Sequence, residues 1–159
     1  KGFIDGRVGR LPTVIVRPGK PNTAASSFAS GVIREPLSGE TCELPVARDL
    51  KLCVGGYRTV ADGLMALLDA PAEAFGDDRV VNLPNITTSV SEMIAATEQV
   101  AARHGIALGT IEDTPDETVR AIVGAWPVGM EASRAIALGC PQDDGLAPII
   151  EAFVEDYLT

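Results

Sequence analysis

Histidine is almost missing from this sequence: His104 is the only one in 159 residues. It ends a predicted helix beside Gly105, where the helix dipole favours a cation and a capping role is the simple reading. With it stand only three cysteines, Cys42, Cys53 and Cys140, spaced too far apart for any zinc pattern, so no metal ligand is assigned. Their odd number, with no secretory leader in view, argues against a disulfide framework and for a reducing, cytoplasmic location. Long hydrophobic runs are also lacking. Gly, Pro or charge breaks each one well short of the ~20 residues that cross a bilayer, so no membrane partner is expected. Positive charge is scarce as well, with Lys and Arg at 13 against 22 Asp and Glu and a net charge of -9. That balance excludes a broad nucleic-acid or anionic-membrane surface, and any anion site has to be local. Finally, no Gly-rich turn follows the first strand, as a phosphate cradle would need; Gly6-Arg7-Val8-Gly9 and Gly55-Gly56 read as ordinary turns.

The length fits one domain, or a large piece of a bigger one, able to bury roughly two-thirds of its unfolded surface. Val8 to Val16 reads as a β-branched strand in which Pro12 marks a bulge or sheet edge. Ser26 or Ser27 caps a predicted helix with Phe28, Val32, Ile33 and Leu37 at helical spacing, shortened by Pro36 and stopped by Gly39. Cys42–Val46 and Lys51–Val54 read as a hairpin closed by Gly55-Gly56. A helix with Val60, Leu64, Leu67 and Leu68 on one face follows, capped by Thr59. The segment 79–83 is a short strand, and Ser89-Val90-Ser91-Glu92 is a capping box opening a helix that Gly105 ends. A strand over 106–112 leads to a second capping box, Thr114-Pro115-Asp116-Glu117, with Pro115 at the first helical position of a helix that turns Val119, Ile122 and Val123 inward; two more helices follow, over about 131–138 and 146–158. The order mixes α and β, and the strands are too few and too scattered to build a well-covered sheet.

The run RLPTVIVRPGKPNTAASSF is where chemistry concentrates. Arg17 and Lys20 bring fixed positive charge, while Asn22, Ser26 and Ser27 bring directed polar groups at a helix start, where free N–H groups favour an anion. A carboxylate or polyol carboxylate fits this set; a polar strand-to-helix loop with capping serines fits it equally. The acidic pairs Asp77-Asp78 and Asp143-Asp144 fall in loops and read as solvated turns rather than acid and base partners.

RLPTVIVRPGKPNTAASSFASGVIREPLSGE also resembles the segment after the catalytic helix in extended short-chain dehydrogenases, the NAD-dependent epimerase/dehydratase superfamily. Within that superfamily it is most similar to the group acting on small sugar acids such as D-erythronate. VVNLPNITTSVSEMIAA and WPVGMEASRAIALG extend the likeness to the end of the chain. The resemblance implies an α/β fold: residues 1–159 as the C-terminal, substrate-binding portion of an extended Rossmann-fold enzyme, a mixed α/β body with an incomplete sheet. It implies that the N-terminal NAD-binding Rossmann part precedes Lys1 and is absent from this chain. The family's Tyr-x-x-x-Lys pair is absent too: four residues after Tyr57 stands Ala61 rather than lysine, and Tyr157 lies two residues from the end, so no catalytic residue is assigned. NAD is the implied cofactor, bordered by Leu11, Pro12 and Thr13. Thr13, Arg17, Lys20, Asn22, Ser26 and Ser27 are the implied substrate contacts, with Arg58, Arg120 and Trp126 as weaker ones that suit structural roles as well. The implied activity is oxidation of a secondary alcohol of a D-erythronate-like acid, with this chain alone inactive and the parent a homodimer through helices lying elsewhere. A nucleotide-sugar epimerase or dehydratase is the alternative on the same scaffold, and a non-catalytic binding module the alternative outside it. Met130-Glu131 departs from the aromatic residue and Asp that relatives often carry.

Overall fold

The computed structural model describes residues 4–20, 22 and 24–158; the expectation attached to Lys1 lies outside them. No helix among the described residues is long and apolar enough to cross a membrane. Strands and helices alternate as β1 (Val8–Arg10), β2 (Thr13–Ile15), α1 (Ser27–Leu37), β3 (Cys42–Leu44), β4 (Lys51–Gly56) and α2 (Tyr57–Asp69). After a short 3-10 turn, Ala72–Phe75, come β5 (Val80–Asn82), β6 (Ile86–Ser89), α3 (Val90–His104), β7 (Ile111–Asp113), α4 (Glu117–Val123), α5 (Ser133–Ala137) and α6 (Leu146–Tyr157).

The strands make three small sheets: β1 with β5, β2–β4–β6, and β3 with β7. All pairs are parallel except β4 with β6. This is the mixed α/β body with an incomplete sheet that the sequence implies. The predicted single strand over 8–16 is in fact two strands in different sheets. The chain changes sheets at Leu11-Pro12, where proline has no N–H to give a ladder. The predicted hairpin is corrected as well. β3 pairs with β7 and β4 with β2 and β6, because the 47–50 connection is followed by a strand buried from Leu52 to Gly56, which only a central position satisfies. Gly55 and Gly56 are therefore the end of that central strand and not a turn. A Cβ on Gly55 would stand 2.7 Å from Pro12 Cγ, so the bare backbone is what lets the Leu11-Pro12 crossing lie against β4.

α1, α3 and α6 pack over the central sheet around Ile15, Ile33, Val54, Met93, Ile150 and Phe153. A second cluster gathers Val60 and Leu67 of α2 with Phe75, Val81, Leu83 and Cys140. The Ser89 capping box is present in both halves: Ser89 Oγ accepts from Glu92 N at 3.2 Å and Glu92 Oε2 accepts from Ser89 N at 2.6 Å. Gly105 ends α3 in the left-handed region, φ 66°. The second box is not formed. Asp116 is the cap, with Oδ1 taking the N–H groups of Thr118 and Val119, and Pro115 stands before it rather than at the first helical position.

Candidate functional site

β2 runs into the centre of the molecule because Ile15 and Val16 are β-branched and wholly buried, and it emerges at Arg17. α1 grips that exit by its backbone. Ser30 Oγ accepts from Arg17 N at 3.1 Å, and Arg34 Nη1 donates to Arg17 O at 2.8 Å. Arg34 is itself buried and paired with Glu35 at 2.5 Å, so the guanidinium that clamps the loop is held from its other side. The Arg17 side chain is left without a hydrogen bond or ion pair among the described residues, as are the hydroxyls of Thr13 and Ser26.

These three groups line one cleft of about 380 Å³. Leu11, Pro12 and Cys53 form its apolar side, and Trp126, Pro127 and Met130 face them from the loop between α4 and α5. Burial pushes the Cys53 thiol up from its ordinary pKa, so the cleft carries a neutral thiol and a single cation. The loop bearing Trp126 is fixed by side chains that sequence reasoning passed over. Asn85 Nδ2 donates to Met130 O at 2.8 Å while Asn85 Oδ1 accepts from Met130 N at 3.2 Å. Thr87 Oγ1 donates to Val128 O at 2.8 Å and Asn82 Nδ2 to Glu131 O at 2.9 Å. The signal was available in Asn82, Asn85 and Thr87, polar residues interleaved with Leu83 and Ile86, where a half-buried amide needs a partner.

The other expected contacts lie elsewhere. Ser27 Oγ accepts from Asn22 N at 3.3 Å, and Asn22 Oδ1 accepts from Ala24 N at 2.9 Å, so these two shape the loop and line a different cavity. Lys20 is exposed and lines none of the described cavities. Arg58, in the first turn of α2, is committed to Glu155 at 3.0 Å and Asp156 at 2.5 Å on α6. Arg120 pairs with Glu117 at 2.6 Å on the surface of α4 and borders a separate hollow beside Val46 and Leu50.

Three further groups take structural places. His104 pairs with Glu151 of α6, joined there by Arg103 at 2.7 Å, which ties the end of α3 to α6. Asp143 Oδ2 accepts from Gly56 N at 2.8 Å and its Oδ1 from the Thr59 hydroxyl at 2.5 Å. Thr59 is thus not the cap of α2: Gly56 is, and a carboxylate from a remote loop occupies the helix start where a phosphate would bind. Asp78 pairs with Arg134 at 2.9 Å. Among the described residues no group of three or more His, Cys, Asp or Glu converges as a metal site requires.

No protein-family profile matches the chain. Two curated proteins named D-erythronate dehydrogenase do. One, from Cupriavidus necator, is 45% identical over 156 residues, which are 98% of this chain and 48% of that protein. The other, from Haemophilus influenzae, is 38% identical over 155 residues, 98% of this chain and 49% of that protein. Among solved structures, a nucleoside-diphosphate-sugar epimerase from Agrobacterium tumefaciens superimposes with a TM-score of 0.89 and 36% identity, covering 99% of this chain and 45% of that one. The chain therefore spans about half the length of the relatives it matches.

Proposed function

We propose, from the premise that this chain matches about half the length of two D-erythronate dehydrogenases and has the fold of the C-terminal part of extended short-chain dehydrogenases, that it is the substrate-binding half of an NAD-dependent oxidoreductase. The observation that carries this reading is the cleft in which the free Arg17 guanidinium and the Thr13 and Ser26 hydroxyls meet opposite Trp126. Arg17 offers a planar, permanently charged fork suited to a carboxylate. The two hydroxyls both donate and accept, and so suit the alcohols of a short polyol. The indole and the Leu11-Pro12 wall keep water from one face.

The fit to NAD is partial. Leu11 and Pro12 suit the flat face of a nicotinamide, but this chain has no Gly-rich turn, and the start of α2 is closed by Asp143. When bound, the nicotinamide supplies hydride acceptance; this chain supplies charge neutralisation, hydroxyl orientation and a water-poor wall. The remaining fold supports a larger body. β1 is paired on one side only among the described residues, and Val8, Leu64, Met65 and Leu68 are exposed along β1 and α2. We place the parent protein in the cytoplasm, as a homodimer.

A second reading, a nucleotide-sugar epimerase, is favoured by the likeness to the Agrobacterium structure. Against it stands the neighbouring larger cavity, rimmed by Glu43, Asp116 and Glu117, which repels a diphosphate. Calorimetric titration separates the two. The full-length protein with its cofactor is expected to bind D-erythronate, to bind erythritol far more weakly, and to lose D-erythronate binding in Arg17→Ala. Equal affinity of wild type and Arg17→Ala for the acid, or tighter binding of a UDP-sugar, overturns the proposal.

A further inference from the structure

Ser26, Ser30 and Arg34 follow one another at intervals of four residues on α1 and its cap, the spacing that sets side chains in one row along a helix. The first lines the Arg17 cleft, and the other two reach the backbone of Arg17 itself. Ser30 is 1% exposed and accepts the Arg17 N–H; Arg34 is 7% exposed and donates to the Arg17 carbonyl. Successive turns of one helix therefore hold both polar backbone groups of a single residue. Upstream, Ile15 and Val16 are anchored by complete burial. Downstream nothing else takes over: Gly19 stands at φ 102°, and among the described residues neither it nor the exposed Lys20 hydrogen-bonds to the body. The direction in which the Arg17 side chain leaves the body is thus decided at α1.

The device that holds it is an inefficient source of stability. Arg34 is buried against Glu35 at 2.5 Å, but only Oε1 of that carboxylate is paired, while Oε2 is buried without a hydrogen-bond partner. An apolar pair of similar volume is often as stable as a buried ion pair, and a half-satisfied one is the weaker kind. Position 31 is bare beside it: a Cβ on Gly31 would stand 3.2 Å from Glu35 Oε2. What the pair supplies is a guanidinium fixed on one side whose other nitrogen reaches Arg17 O; an apolar side chain would fill the space and hold nothing. We propose, on the sugar-acid reading of the cleft, that Ser30 and Arg34, with Glu35 behind Arg34, are positioning residues that aim the Arg17 guanidinium at the ligand's carboxylate before the ligand arrives. They touch neither ligand nor cofactor. A side chain already held at its base loses less freedom on binding, so the clamp adds affinity through preorganisation. Only ligands with a carboxylate gain from it, and it therefore acts on the choice between an acid and the uncharged polyol.

The test uses the full-length protein with its cofactor and compares wild type, Arg17→Ala, Ser30→Ala and the double variant Arg34→Met with Glu35→Leu, which exchanges the buried pair for apolar side chains. Steady-state oxidation of D-erythronate gives KM and kcat, and calorimetric titration gives affinities for D-erythronate and erythritol. The double variant is expected to raise KM and weaken D-erythronate binding by about threefold to tenfold, the effect of leaving one long side chain for the ligand to order. Its kcat is expected to stay near that of wild type, because a carboxylate remote from the reacting carbon is held alike in the ground and transition states. Erythritol affinity is expected to be unchanged, whereas a general distortion of the cleft would weaken acid and polyol together. Ser30→Ala, which removes only the acceptor for Arg17 N–H, is expected to shift acid binding in the same direction by a smaller factor, and it carries the test where the double variant does not fold. If Arg17→Ala loses the acid but a folded double variant, or Ser30→Ala in its place, binds it as wild type does, this inference alone is overturned. Parallel weakening of acid and polyol, or a fall in kcat with KM unchanged, overturns it too. Equal affinity of Arg17→Ala and wild type for the acid overturns the sugar-acid reading and this inference with it.

Discussion

Asn85→Ala is the perturbation that best tests how the cleft is held together. The amide of Asn85 exchanges two hydrogen bonds with the backbone of Met130, at 2.8 Å and 3.2 Å, and adds a weaker one to Leu83 O at 3.3 Å. Its orientation is dictated by its neighbours, since Met130 N can only donate and Met130 O can only accept. Removing it leaves both Met130 groups without partners at a half-buried position. At about 0.5–1.5 kcal/mol for each net bond, the two together are worth about 1–3 kcal/mol, or ~2–10 °C in Tm for a chain of this size. Trp126, four residues earlier and the only tryptophan, reports on the loop directly. Urea denaturation followed by Trp126 emission and by far-UV circular dichroism is expected to show a lowered midpoint for Asn85→Ala and redder emission before any loss of helix. Asn85→Asp keeps the acceptor for Met130 N but turns a carboxylate oxygen toward Met130 O, so it should be at least as damaging as alanine. An Asn85→Ala protein with unchanged midpoint and emission would refute the idea that this side chain fixes the Trp126 wall.

Other consequences follow from the same geometry. Gly55→Ala brings a methyl 2.7 Å from Pro12 Cγ and 3.3 Å from Val60 Cγ2 and is expected to destabilise by about 1–3 kcal/mol, read as a lowered urea midpoint; an unchanged midpoint would mean the crossing is not tight. Among the carboxyls held below their ordinary range are Asp78, chiefly through the Val80 N–H, Glu92 through the Ser89 N–H, and Asp156 through Arg58. Because their folded values lie below the unfolded ones, their stabilisation is complete above about pH 5 and is lost as pH falls through the folded values. The urea midpoint should therefore drop on acidification below that point, and a midpoint that holds or rises contradicts the pairing. Burial, reinforced by the Glu35 charge, pushes the Cys42 thiol up to about 11. Alkylation of Cys42 at pH 8 should accordingly be negligible until the chain unfolds, and rapid labelling of the native protein would count against its burial.

The helices were far more legible in the sequence than the sheets. α2, α3 and α6 announce themselves by apolar spacing and by local stops such as Gly105, all of which depend on residues a few positions apart. Sheet partners depend on residues far apart. Cys42–Leu44 and Lys51–Gly56 look like a hairpin because they are close in sequence, yet the partner of β3 is β7, some seventy residues on. β6, Ile86–Ser89, was passed over because Pro84-Asn85 just before it and the capping box at its end both read as non-strand, although its ladder to β4 is regular.

The site shows the same division between local and distant information. Arg17, Lys20, Asn22, Ser26 and Ser27 entered as one group because they are neighbours in the chain, but the start of α1 sorts them. Arg17 and Ser26 line the cleft, Asn22 and Ser27 bond to one another on a different flank, and Lys20 remains exposed. What completes the cleft comes from residues about a hundred positions away, Trp126 and Met130, and their placement is decided by Asn82, Asn85 and Thr87 on β5, β6 and the turn between them. A cleft with one wall from the β2 exit and the other hung from β6 changes width when either support changes. Both supports rest on the central sheet, since β2 and β6 flank the same strand, β4. The spacing between Arg17 and Trp126 is therefore set by β4, whose buried, glycine-ended sequence contributes only Cys53 to the cleft lining itself.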